Sequence, residues 1–415
     1  MDPELSRGVR AVHRCDALGA PPFSETVEAL TRRYLTAAHR EAVTTLSAWM
    51  TAAGMTVHVD PLGTLIGRYE AERPGAPAII IGSHIDSVPN GGRYDGPLGI
   101  MIGLECVAAF HARGERLPFA LEVVAFGDEE GSRFPASMLG SQAIAGVLDP
   151  AALDIADAQG VRLSDALREF GLAPEMVGQA ARSRGEILAY IEPHIEQGPL
   201  LEADGLAIGA VSSIAAQVRL RARFVGVAGH AGTTPMRLRA DALAAAAEAV
   251  LAVERACSVG ADDVVGTVGK IQTSTQAFNV IVGEAEIGVD IRAAEPARRD
   301  AVAAQVRSAL EQIAARRGLR LELTTVQDLP GRQCDADLTE RLGSAVERVV
   351  GRDRRLMSGA GHDAMVMGAI APVAMLFIRC TGGVSHHRDE QVTAEDVSLA
   401  IRALIEFITS LGARE

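Results

Sequence analysis

The sequence predicts an α/β fold interrupted by a second compact unit. Three observations carry this reading. Short, largely apolar runs at 78–81, 121–126, 187–191 and 373–377 read as strands buried on both faces. Helical patterns separate them, and loops rich in polar residues follow their ends, the arrangement of α/β proteins. From about Val211 to Asp328 the texture changes to strand, helix, strand, strand, helix, strand, the split-βαβ order. The first texture then resumes. A chain of 415 residues is also too long for one ordinary core. The expected limits are residues 1–212 and 328–415 for an interrupted core domain, with 213–327 inserted into it.

Each element has a local signal. Residues 25–54 carry Val27, Leu30, Tyr34, Leu35, Val43, Leu46 and Met50 at helical spacing, with Gly54 as a C-cap. Strands at 55–59 and 65–69 flank a turn at 61–63. A helix at 100–113 follows the strand at 78–81. Residues 135–185 read as short helices and turns. The inserted unit comprises strands at 218–226, 263–273, 285–291 and 319–325, with helices at 240–257 and 298–317. Helices at 338–350 and 394–411 belong to the closing segment.

Composition narrows the function classes. A formal net charge of -13 argues against a nucleic-acid partner, which requires basic surface. No apolar run approaches the ~20 residues of a membrane helix. The first twenty residues show no apolar stretch of a secretory signal. Five dispersed cysteines without a CxxC pair point to a reducing compartment, so a cytoplasmic protein is expected.

The chemistry collects at the strand ends. His84 and Asp86 leave the run at 79–81, and Asp95 follows in the glycine-rich loop GGRYDGPL. Glu129 and Glu130 follow the run at 121–126, His194 follows 187–191, and His386 follows 373–377. Singly, each has an ordinary explanation, such as a surface histidine or an acidic helix cap. Together they put metal-ligand residue types on one predicted sheet edge. Three histidines and several carboxylates exceed the needs of one zinc. They suit two ions about 3.5–4 Å apart that share a carboxylate. Of two adjacent glutamates, one can bind metal while the other accepts a proton from activated water.

The segments HIDS, YDGPLG, DEEGSRF, HIEQGPLLE, GHAGTTPM, SGAGHDA and GVSH resemble the dinuclear-zinc amidohydrolases. That family includes N-carbamoyl-L-amino acid hydrolase, β-ureidopropionase and allantoate amidohydrolase. The likeness runs from about residue 8 to 411. It implies a mixed-sheet zinc-peptidase-like catalytic domain with an inserted βαββαβ lid and dimerisation domain, hence a homodimer. It implies two divalent ions per subunit, zinc or else manganese, cobalt or nickel. His84, Asp95, Glu130, His194 and His386 would be ligands, with Asp95 bridging. Asp86 would orient His84, and Glu129 would be general base and then acid. Gln197, His230, Asn279, Arg292, Ser358 and Gly361 would contact substrate, His230 reaching the partner subunit's site. His362 is either part of the substrate loop or a packing residue. The family often has Ser or Asn and then Pro after GVSH. Here His387 and Arg388 follow, and the alignment of Gly-Val-Ser favours His386 as the ligand.

The resemblance implies hydrolysis of a linear ureido or amide C–N bond in a small carboxylate substrate. N-carbamoyl-L-amino acids lead, giving amino acid, carbon dioxide and ammonia. Allantoate, 3-ureidopropionate and N-acyl-amino acids are the alternatives. A non-catalytic metal-binding or regulatory protein on the same fold would lack the general base, and Glu129 is present.

Overall fold

The computed structural model describes residues 3–259 and 263–412, so the outermost residues of the expected domain limits lie outside the described residues. The chain forms two compact units. One comprises Met1–Ser212, Cys334–Leu356 and Gly361–Glu415, the other Ser213–Gln333 with Met357–Ala360. The first eight strands in chain order are β1 (Thr56–Val59), β2 (Leu65–Tyr69), β3 (Ala78–His84), β4 (Ala120–Phe126), β5 (Ile187–Ile195), β6 (Ile208–Ile214), β7 (Ala216–Val225) and β8 (Gly229–His230). The others are β9 (Val264–Thr273), β10 (Val280–Ile281), β11 (Glu284–Ala293), β12 (Arg320–Leu329), β13 (Arg332–Gln333), β14 (Leu356–Ser358) and β15 (Val373–Ile378).

In the first unit the sheet order is β1-β2-β4-β3-β5-β15-β6. The pairs β3–β4, β3–β5 and β5–β15 are parallel, whereas β1, β2 and β6 join antiparallel. This is the mixed α/β sheet the sequence predicts. Every residue of β3 and β4 is buried, as in strands covered on both faces, and the one carboxylate in β4, Glu122, is paired with Arg68 and Arg182. The helix Pro97–Ala112 is buried nearly all round, packed between β3 and the helices Pro3–Leu18 and Ala394–Gly412. The four parallel strands direct their carboxyl ends to one edge, where ligands of such sheets gather.

The second unit is an antiparallel sheet ordered β12-β7-β11-β9. Its core is closed by the helices Ala242–Cys257 and Pro296–Arg317. Burial alternates strictly along β11, as in a strand with one face on the core. Residues 328–333 belong to this unit. Arg299 Nη1 donates to Asp328 (2.6 Å) and to the Leu329 carbonyl (2.9 Å), tying the end of β12 to the helix Pro296–Arg317.

Three local readings change. The helix expected over 25–54 spans only Ala37–Ala52, with Thr36 accepting the His39 N–H as its cap. Arg32 removes the preceding residues from the helix. Its buried guanidinium donates to the carbonyls of Ile85 (2.5 Å), Leu18 (2.7 Å) and Phe23 (3.0 Å), bracing the segment that leaves β3. Val27, despite its helical spacing, is exposed. The strand expected at 187–191 continues to Ile195, which places His194 in the sheet. The helix Pro3–Leu18 and strand β6 carried no signal that was read from the sequence. No helix among the described residues is long and apolar enough to cross a membrane.

Candidate active site

The parallel strands deliver the candidate residues to one edge. His84 is the last residue of β3, Glu129 and Glu130 follow β4, His194 is the penultimate residue of β5, and His386 lies in the loop after β15. Asp95 sits in the turn before the helix Pro97–Ala112. There Gly96 has φ +84°, and a side chain on it would strike the His84 ring.

The ring orientations are set from behind. Nδ1 of His84 lies 3.1 Å from the Asp86 carbonyl and 3.6 Å from Asp86 Oδ1. Nδ1 of His194 donates to the Ile195 carbonyl at 2.9 Å. Both Nε2 atoms therefore face Asp95 Oδ1, at 3.6 Å from His84 and 3.2 Å from His194, and lie 3.5 Å from each other. The other oxygen, Asp95 Oδ2, lies 3.3 Å from His386 Nε2, which is 3.7 Å from Glu130 Oε1. Asp95 thus turns one oxygen to each side. Ligand atoms converge within 4.8 Å in three groups: His84, Asp95 and His194; Asp95, Glu130 and His386; and His84, Glu129 and Glu130. His387 is exposed and pairs with Asp389.

Asp86 contacts more than His84. Its buried carboxylate accepts the backbone N–H groups of Glu129 (3.0 Å) and Glu130 (3.2 Å), so one side chain braces the exits of both β3 and β4. Gln197, at φ +57°, donates to Asp95 Oδ2 (2.9 Å) and to Ser385 Oγ (3.1 Å). His386 is also left-handed, at φ +53°. Such non-glycine conformations persist where surrounding contacts hold them, often at functional sites. Gly361 backs Glu129: a Cβ there would lie 4.0 Å from Glu129 Oε1 and 3.1 Å from Met138 Cε. His362 is buried edge-on to His194, with ring centres 4.6 Å apart.

The electrostatics match a cation site. Burial raises Glu129 well above the usual carboxylate range, helped by Glu130, Asp363 and Asp86 and opposed by His84. Burial and the charge of Asp95 push Glu130 up to about 7. Burial opposes the charged form of His84, but its bonds to Asp86 and Asp95 outweigh it and raise the imidazole. Carboxylates crowded in a partly buried site favour a nearby positive charge. Imidazole Nε2 atoms converging with carboxylate oxygens, with the Nδ1 atoms of His84 and His194 anchored to carbonyls, form the donor set of a divalent-metal site. The residues fit such a group.

The remaining candidates lie in the second unit. His230 pairs across β8–β10 with Val280, and the Ala231 N–H donates to the Asn279 carbonyl at 2.9 Å. His230 Nδ1 accepts from the Gly232 N–H (3.1 Å), which leaves the ring proton on Nε2. Arg292 donates through Nε and Nη2 to Asp290 (2.9 and 3.1 Å) and through Nη1 to the Gly359 carbonyl (2.5 Å). Arg219 and Gln217 hold the same Asp290 at 2.8 and 2.7 Å. Ser358 Oγ closes a turn with the Ala360 N–H at 3.2 Å.

Sequence reasoning passed over Ser385 and Glu390, which contact the Asp95 loop, and Asp363, buried beneath Glu129. Ser385 and Glu390 lie in GGVSHHRDE, and Asp363 closes SGAGHD. The signal was present but carried no metal-ligand spacing.

Comparison with known proteins supplies the family. Residues 80–410 match the family described as Peptidase family M20/M25/M40. The chain is 38% identical over 386 residues to an N-carbamoyl-L-amino acid amidohydrolase of Geobacillus stearothermophilus, covering 93% of this chain and 94% of that one. It is 36% identical over 440 aligned positions to allantoate deiminase 1 of Glycine max, covering 99% and 90%. A crystal structure of an amidase of the hydantoinase/carbamoylase family from Burkholderia multivorans superposes with a TM-score of 0.90 at 32% identity, covering 99% and 98%. The chain belongs to the M20/M25/M40 peptidase family, in its carbamoylase and allantoate amidohydrolase branch.

Proposed function

We propose that this amidohydrolase cleaves the ureido C–N bond of N-carbamoyl-L-amino acids. Water adds to the carbamoyl carbon, the bond to the amino-acid nitrogen breaks, and the released carbamate decomposes to carbon dioxide and ammonia. The observation that carries this reading is the buried Glu129 beside the convergent cluster of His84, Asp95, Glu130, His194 and His386. Two divalent ions, zinc or else manganese, cobalt or nickel, would be held there with Asp95 between them. Bound there, they polarise a carbonyl and make water acidic enough to attack near neutral pH.

The other roles fall to the chain. Glu129 takes a proton from the attacking water and passes it to the leaving nitrogen. Asp86 fixes His84 and the backbone of the two glutamates. His230 Nε2–H and the Asn279 amide are donors of the type that stabilises an oxyanion. Arg292 suits a substrate carboxylate, because a guanidinium grips one with two parallel bonds. Gln197, Ser358 and Gly361 complete the proposed substrate contacts.

A homodimer through the second unit fits its exposed apolar groups, Val265 and Ile271 on the edge strand β9 and the fully exposed Phe278. Five free cysteines fit a reducing compartment, and we place the enzyme in the cytoplasm. The likeness to allantoate deiminase supports allantoate as the second reading. The test is ammonia release from N-carbamoyl-L-amino acids, 3-ureidopropionate and allantoate, with N-acetyl-amino acids assayed by free amine. The highest kcat/KM is expected on an N-carbamoyl-L-amino acid. A preference for allantoate or for an acyl substrate would replace this reading.

A further inference from the structure

We propose that Glu390 is a positioning residue that locks the Asp95 loop to the His386 loop and so sets the affinity of the metal site. This rests on reading Asp95 and His386 as ligands. Glu390 is 3% exposed. Its Oε1 accepts the backbone N–H groups of Tyr94 (2.8 Å) and Asp95 (3.0 Å). Its Oε2 contacts Ser385 Oγ at 3.2 Å. Ser385 Oγ in turn lies 3.1 Å from Asp95 Oδ2 and accepts from Gln197 Nε2 at 3.1 Å.

One carboxylate therefore joins two loops separated by 295 residues of chain. It acts on Asp95 through the backbone N–H, and the two carboxylates meet at the Ser385 hydroxyl, whose single proton either can accept. It acts on His386 by pinning the preceding residue, where the backbone enters the left-handed region at φ +53°. The local sequence is built for this. The Glu390 N–H donates to the His387 carbonyl (3.0 Å), closing a tight turn that returns the side chain toward Asp95. Gly92 makes room, since any side chain there would run into the Glu390 carboxyl group. A buried carboxylate is costly unless donors satisfy it, and here two backbone amides donate to it beside the Ser385 hydroxyl. Groups that orient metal ligands from behind alter affinity by about 10- to 100-fold when removed.

The test compares E390A, E390Q, S385A and D95A in the full-length chain. Zn²⁺ affinity is measured by competition with a chromophoric chelator, and folding by circular dichroism and thermal unfolding. E390A is expected to bind Zn²⁺ about 10- to 100-fold more weakly. Excess metal should restore its kcat with KM unchanged. In E390Q the amide oxygen still accepts the Tyr94 and Asp95 N–H groups and the amide nitrogen can donate to Ser385, so affinity should stay within about 3-fold of the parent. S385A, which deletes one hydroxyl, keeps the comparison available if E390A does not fold, and it too should bind metal more weakly. Folded E390A or S385A binding Zn²⁺ as the parent does, beside a D95A chain that has lost it, would overturn the positioning role. D95A binding Zn²⁺ as tightly as the parent would overturn the ligand reading itself, and this proposal with it.

Discussion

Replacing Glu129 with glutamine separates the proposed proton carrier from the proposed metal ligands. Glu129 is buried, its backbone N–H is held by Asp86, and Gly361 lies behind its carboxyl group. The amide preserves volume and the backbone bond, so the loop should stay in place. What is lost is a carboxylate able to accept and return a proton. A positioned acid–base group contributes about 10²- to 10⁴-fold. That loss raises the barrier by roughly 3–5 kcal/mol. Glu129→Gln should therefore lower kcat on N-carbamoyl-L-amino acids by about two to four orders of magnitude, with KM and bound metal near parental values. Ammonia release gives the kinetics, and elemental analysis of the desalted protein gives the metal. Glu129 also falls within one convergent group with His84 and Glu130. Loss of an ion in Glu129→Gln would make it a ligand and refute the reasoning. Activity within threefold of the parent would refute it equally.

Three further outcomes follow from the same contacts. Asp86→Asn puts an N–H₂ where one of two backbone donors now binds, so Zn²⁺ affinity should fall about 10- to 100-fold in a chelator competition. Arg292→Ala should raise KM for N-carbamoyl-L-amino acids about 10- to 100-fold, the equivalent of one charged hydrogen-bonding group, and leave an amide lacking the carboxylate unaffected. His39 is fully buried, and burial lowers its imidazole to about 3. The unfolded chain binds that proton from about pH 6.5 downward while the folded chain does not. Stability tied to His39 is thus complete above pH 6.5 and is lost as the pH falls toward 3, by roughly 1.4 kcal/mol per unit. Urea unfolding at pH 7 and 4.5 should show a flatter pH dependence in His39→Asn than in the parent.

The parallel strands were legible because continuous apolar runs have few other uses, and the site residues stood just beyond them. His84, Glu130 and His194 could be proposed by residue type and position alone, and the structure brings their ligand atoms into convergent groups. Asp95 was harder, since its value depends on turning one oxygen to His84 and His194 and the other to His386, a relation no spacing encodes. Residues 25–36 misled because a helical period of apolar side chains says nothing about one buried arginine. Arg32 donates through Nε and Nη1 to three carbonyls, one of them 53 residues away, and the chain leaves the helical path there. Glu390 escaped for a similar reason. It looks like a surface residue in a charged run, and its proposed role depends on the backbone amides of Asp95 and Tyr94, 295 and 296 residues away. Local pattern reports period and burial, whereas these residues act through long-range hydrogen bonds.

The most direct measurement is a metal titration of the chelator-stripped enzyme, followed by ammonia release from an N-carbamoyl-L-amino acid. The stripped enzyme should be inactive. Activity should return with added Zn²⁺, Mn²⁺, Co²⁺ or Ni²⁺ and reach its plateau at about two ions per chain, as a cluster sharing Asp95 requires. Full activity after complete chelation, or no ammonia at any metal loading, would contradict the account.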